Sequence, residues 1–273
     1  MNTRCSMLVL AVSVMTLSHG AASAQTKGGL PELATDRPDF TESSEVVGRG
    51  IVQVEMGTTV EWNREPDHRD RAVTLPLALL RLGVSRRMEL RVSGDGYVLN
   101  AMESMVGQSR SRGHADLEVG AKYLLREGGD DGFAFAVIPM ASLPVGADGI
   151  SSGAVDPTLK FTWATSLPRA FDISGNVNVS RLGDDLGRYI EHGLSVSIAH
   201  DLARGWGFYT EVFGFTPQGR PHSNAWTLDA GVSRLLGDNM QIDLEFGRGL
   251  TRAAPDWFVG AGVGIRTAAL RRQ

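Results

Sequence analysis

Thiol chemistry and long apolar runs are the two things this sequence conspicuously lacks. Its single cysteine, Cys5, lies close to the start, so the rest of the chain has no disulfide, no thiol nucleophile and no thiolate metal site. After residue 24 no apolar run outlasts Val73–Leu80, far short of the roughly 20 residues a membrane-spanning helix needs. Charge is also sparse, with 21% charged residues and a formal net charge of −4. That balance lacks the clustered basic excess that binds nucleic acid, so nucleic acid is not an expected partner.

The first 24 residues have the three parts of an export signal: a basic start at Arg4, an apolar stretch from Met7 to Leu17, and a small-residue end at Ala22-Ser23-Ala24. Cleavage there would leave Gln25 as the new amino terminus. Beyond it, 33 glycines and 42% hydrophobic residues are too rich in turn-forming and apolar chemistry for a disordered chain. With no membrane helix possible, an all-β fold remains.

Alternation supports that class. Val52, Val54, Met56, Thr58, Val60 and Trp62 fall on one side of a period of two, and Gln53, Glu55, Gly57, Thr59 and Glu61 on the other. The same pattern runs through 114–126 and 240–248. Twelve strands are expected, near 50–63, 72–84, 88–99, 114–126, 133–143, 154–166, 171–181, 190–202, 207–216, 225–235, 240–249 and 257–267. Most approach the roughly 9 to 11 residues of a tilted transmembrane strand. Long connections (64–71, 100–113, 144–153, 182–189, 217–224, 250–256) alternate with short ones, as in barrels with tight periplasmic turns and longer outer loops. The expectation is one closed antiparallel transmembrane β-barrel over residues 50–273, in a bacterial outer membrane, with membrane lipid and the barrel-assembly machinery as partners.

Trp62, Trp206, Trp226 and Trp257 fall at predicted strand ends, where indole rings mark the membrane boundary. The segment 72–84 is nearly all apolar and carries Pro76, which removes a ladder donor. From Trp206 to Phe215 aromatics occupy both faces; they either line an apolar inner wall for a solute or pack against a plug, and packing is the preferred reading. Residues 25–49, with Pro31, Pro38 and both charge signs, fit no strand and are an irregular segment able to plug a narrow lumen.

The stretch Thr35-Asp36-Arg37-Pro38-Asp39-Phe40-Thr41-Glu42, with Gln53-Val54-Glu55-Met56-Gly57 and the later Gly120-Ala121-Lys122-Tyr123, resembles the outer-membrane barrel family named for the meta-pathway of phenol degradation, whose members are often labelled transporters. The resemblance implies a barrel that moves aromatic or other small hydrophobic compounds. The ending, Ala268 to Gln273, departs from the terminal aromatic many such barrels carry.

Asp36, Arg37 and Asp39 are expected to meet inward-pointing Glu55, Glu61, Arg91, Lys122 and Glu245, as a structural latch or a solute gate. For catalysis, His192 and Ser195 are three residues apart and therefore on opposite faces of a strand. No nucleophile and base converge, so no enzyme is expected. No metal or cofactor is expected either: Gly260-Ala261-Gly262-Val263-Gly264 lacks the lysine and helix of a phosphate loop and reads as small residues on a polar inner face. The expected role is a passive channel or binder for a small hydrophobic solute; the alternative is a surface barrel with an occluded lumen.

Overall fold

Backbone amides at the edge of a sheet must find partners, and here the first and last strands satisfy each other. The computed structural model describes residues 33–65, 67–128, 132–168, 170–184, 187–218 and 223–267. The expected signal peptide (1–24), residues 25–32 and the carboxy-terminal 268–273 lie outside them. The strands are β1 (Val52–Arg64), β2 (His68–Gly83), β3 (Met88–Gly94), β4 (Tyr97–Ser104), β5 (Gly107–His114), β6 (Leu117–Arg126), β7 (Ala134–Leu143), β8 (Asp156–Leu167), β9 (Phe171–Asp184), β10 (Gly187–Leu202), β11 (Trp206–Gln218), β12 (Ser223–Leu235), β13 (Met240–Gly249) and β14 (Trp257–Arg266).

All named pairings are antiparallel, and β1 pairs with both β2 and β14, which closes the ring. β3 and β4 pair in succession with β2, and β6 and β5 in succession with β3 and β4. Each of these two couples is one barrel strand interrupted near Asp95 or Asp116, so the wall has twelve strands. The closed ring leaves no edge for lipid to meet, the arrangement by which a sheet can cross a bilayer, while β5, which extends beyond the ring on β4, is paired on one side only among the described strands.

Side-chain placement is inverted relative to a water-soluble protein. Arg81, Lys122, Gln53, Glu55, Glu89 and Glu211 are among the largest fully buried side chains. Outside, Leu80, Leu90, Val196, Leu228, Leu244 and Phe246 are exposed. A ring with a polar interior and an apolar outer band is what a hydrocarbon solvent selects.

Three expectations about connections are corrected. Residues 100–113 are not a long loop: β4 and β5 form a hairpin with its tip at Met105 and Val106. Likewise 64–71 and 182–189 are mostly strand, with Arg64 paired to Arg69 and Asp184 to Gly187. Polar side chains on both faces look like loop in a sequence, yet above a membrane both faces of a strand are wet and the ladder still forms. The apolar stretch around Pro76 is a register shift in which Leu75 and Pro76 oppose Thr58. This bulge absorbs the missing donor and turns Leu77 and Leu79 into the lumen while Leu75 stays outside.

Candidate functional site

The amino-terminal segment 33–50 occupies the lumen at the barrel end that carries the turns 84–87 and 236–239. Leu33, Asp36, Thr41, Glu42, Ser44 and Val47 are buried there. Irregular backbone inside a barrel needs partners for its amides and carbonyls, and the wall provides them. The Asp36 amide donates to Glu55 Oε2 at 2.8 Å, those of Phe40 and Thr41 donate to Glu211 at 2.7 and 2.9 Å, and that of Val47 donates to Glu89 Oε2 at 2.7 Å. Lys122 Nζ donates to the Ser43 carbonyl at 2.7 Å and Arg81 Nη2 to that of Glu45 at 3.0 Å. Thr41 also bonds Ser195 and Ser44 bonds Thr162, so the segment reaches strands around most of the ring.

Charge holds the same contact surface. Asp36 accepts from Arg91 Nη1 at 2.6 Å and Lys122 Nζ at 3.0 Å, and Arg81 lies 3.6 Å from it. Arg81 in turn meets Glu55 at 3.1 Å and Glu89 at 2.9 Å. Glu42 bridges Arg91, at 3.0 Å, and Lys160. On the opposite side Arg37 pairs with Asp243 at 3.1 Å and approaches Glu245 at 3.7 Å. Its guanidinium lies flat over Gly57 and Gly262, where a Cβ on either glycine would collide with it; Gly264 similarly receives Thr35. The glycine-rich run of β14 is thus a seat for the segment.

Of the expected site residues, Asp36, Glu55, Arg91 and Lys122 come together in one cluster and Arg37 with Glu245 in a second. Asp39 lines the cavity above them. Glu61 faces inward farther along β1 and joins no ion pair among the described residues. Arg81, Glu89, Lys160, Glu211 and Asp243 completed the network without being singled out in the sequence. The inward parity of Arg81 is hidden by the bulge at Pro76, whereas Glu211 and Asp243 alternate regularly with outward Val212 and Leu244 and were legible by parity.

Phe40 stacks on Phe213 with centroids 4.9 Å apart and meets Phe215 edge-on at 5.3 Å. The inner aromatics of β11 therefore pack against the segment. Trp62 and Trp257 stack at 3.8 Å at one barrel end, with Trp226 at the same end, where its amide donates to Thr251. Trp206 is exposed at the opposite end, beneath Arg234 at 5.2 Å. His192 is exposed and Ser195 buried, on opposite faces of β10.

Above the segment is a cavity of about 520 Å³. Asp36, Arg37, Asp39, Phe40 and Glu42 form its floor, and Leu77, Leu79, Met140, Ile150 and Leu182 contribute apolar wall. The connection 144–155 closes over one side: the amides of Gly146 and Ser152 donate to Asp116 at 2.9 and 3.0 Å, and that of Ala147 donates to the His114 carbonyl. Burial works against the Asp116 charge, but these amides and the Ser151 hydroxyl outweigh it and hold the carboxyl below its ordinary range.

A plugged twelve-stranded barrel with this amino-terminal signature is a describable class. Residues 35–267 match the model of the family described as "Putative MetA-pathway of phenol degradation". The chain belongs to this family. Its fold is similar to the COG4313 outer membrane channel from Pseudomonas putida F1, with a TM-score of 0.66 at 10% identity, covering 82% of this chain and 98% of that one. It is also similar to the transport unit of the autotransporter AIDA-I from Escherichia coli (TM-score 0.53, 9% identity, 80% and 89% covered) and to the NanC porin (0.50, 9%, 78% and 98%). At these identities the likeness is one of fold: this family member has the architecture of outer-membrane barrels. No curated protein matches the chain.

Proposed function

We propose that this family member is a passive outer-membrane channel or binder for small hydrophobic or aromatic compounds, exported by a cleaved signal peptide and gated by its amino-terminal segment. The observation that carries this reading is the cavity above the segment, where an apolar strip of Leu77, Leu79, Met140, Ile150 and Leu182 faces a lumen otherwise lined by charged groups, among them Asp95, Glu118 and Lys160. A few hundred Å³ is the size of sites that take small organic ligands, and the apolar strip offers the face of such a molecule contact while the surrounding charged groups orient it. The family's name and the fold of its neighbours favour transport over catalysis, and His192 and Ser195 lie on opposite faces of β10. The alternative, a structural barrel with a permanently shut lumen, draws on the continuous contact between the segment and the wall.

Openings of the intact chain in planar bilayers and its saturable solute binding separate the two. Deleting residues 25–49 should produce a stable open pore where the intact chain gives rare or small openings. In parallel, phenol or toluene should quench or shift the fluorescence of the intact chain saturably, and Leu79→Asp should abolish that response. Equal conductance with and without the segment, together with no saturable solute binding, would retire the channel reading in favour of the shut barrel.

A further inference from the structure

The outer wall carries a cluster of arginines that the lumen site does not use. Cross-strand register places Trp257, Trp62, Arg71, Ala101 and Arg110 in one row across β14, β1, β2, β4 and β5. The row above contains Arg64, Arg69, Glu103 and Gln108, and the row below contains Val259, Val60, Val73, Leu99 and Arg112. Leu99, Trp257 and Val259 are exposed, so these rows lie on the outside of the barrel. Arg64, Arg69, Arg71, Arg110 and Arg112 are all exposed as well.

Neighbouring strands lie about 4.8 Å apart and successive same-face rows about 6.7 Å apart, so the five guanidinium groups share a patch on the order of 15 Å across. Arg64 and Arg69 are direct cross-strand partners, an arrangement of like charges that opposes pairing unless an anion lies between them. Glu103 is the one carboxylate in these rows, and it accepts from Gln108 Nε2 at 3.0 Å. Among the described residues none of the five arginines forms an ion pair. Elsewhere in the molecule, Arg81 and Arg91 are each matched to carboxylates.

Height on the wall identifies what is missing. Indoles settle where hydrocarbon gives way to headgroups, and Arg71 is the direct register partner of Trp62 in the stacked Trp62–Trp257 pair; because tilted strands shift height by roughly 3 Å per strand along a row, Arg110 and Arg112 spread the patch to either side of that level. One row below, Val60, Val73 and Leu99 begin the apolar band. Guanidinium groups at that boundary face lipid phosphates, to which their planar fork binds in bidentate fashion. We propose that this patch binds the phosphate groups of an anionic lipid in the outer leaflet, holding it against the barrel over β1, β2, β4 and β5. The inference rests on the membrane residence proposed above.

The test uses the full-length barrel in detergent micelles and native mass spectrometry, with diphosphorylated lipid A as probe and the same lipid stripped of both phosphates as control. The intact chain should retain the phosphorylated lipid preferentially. Arg71→Gln, Arg110→Gln and Arg112→Gln together should weaken retention about a hundredfold, from roughly fivefold for each cation near an anionic surface. The corresponding triple lysine variant should keep most of it. Glu103→Gln should strengthen it. Heat-modifiable migration on gels, measured on every variant, reports separately whether the barrel is folded and membrane-type, so failure of that reading is seen apart from failure of lipid binding. Equal retention of the dephosphorylated lipid, or an unchanged triple glutamine variant that is heat-modifiable, would each overturn the assignment.

Discussion

Asp36→Ala should open the barrel. The Asp36 carboxylate, 2% exposed, is the one acid shared by Arg81, Arg91 and Lys122. Without it Arg81 keeps Glu55 and Glu89, and Arg91 keeps Glu42 and Glu89. Among the described residues Lys122 keeps only the Ser43 carbonyl, which belongs to the segment itself. The loss therefore falls on the plugged state, because once the segment leaves, all three cations face a water-filled lumen whether or not residue 36 is acidic. Removing one partner from a buried ion cluster costs roughly 3–5 kcal/mol, and 1.4 kcal/mol is a tenfold change in population. The ratio of unplugged to plugged barrel should thus rise between about a hundredfold and a few thousandfold. Single-channel recording in planar bilayers measures that ratio as open probability. Asp36→Asn, which keeps one acceptor oxygen but loses the charge and the other acceptor, should fall between. Adding Lys122→Met to Asp36→Ala should recover part of the closed population, as expected for directly coupled residues. An Asp36→Ala barrel that folds, shifts on heating and gates like the unaltered chain would show that the ion cluster does not hold the segment in place.

Gly262→Val should expel the Arg37 guanidinium from its seat on β14, raising open probability without changing the outer wall; unchanged gating would mean that the contact is incidental. Phe40→Ala removes a ring stacked on Phe213 and should weaken the plug by about 3 kcal/mol, less if the lumen already wets that site; its trypsin sensitivity at Arg49 should rise accordingly. Because the folded-state pKa of Asp116 is lowered, the stability it lends to connection 144–155 is fully present above its ordinary value of 3.8 and is lost as pH falls below that. The protection of the Gly146 and Ser152 amides, taken relative to intrinsic exchange at each pH, should therefore fall in acid, and Asp116→Asn should show the low protection at neutral pH and remove the pH response.

Much of the wall was legible because lipid imposes a strict rule on strands. Every second residue between Val52 and Trp62 must be compatible with hydrocarbon, so period, strand number and the inward sense of Glu55, Arg91, Lys122 and Glu245 follow from local pattern alone. The same rule fails where both faces are wet, which is why the β4–β5 hairpin resembled a loop. It fails again at a bulge, which is why Arg81 sat unnoticed in an apolar stretch.

The sequence by itself determined that this is a barrel with an irregular amino-terminal segment, since periodicity and composition are properties of neighbouring residues. Only the tertiary structure decided that Asp36 joins three cations from three strands, that Arg37 rests on two glycines from β1 and β14, and that five outward arginines share one patch. Those contacts depend on closure and register, which bring together residues that are far apart along the chain, and no local pattern encodes which strand lies across the lumen from which part of the segment.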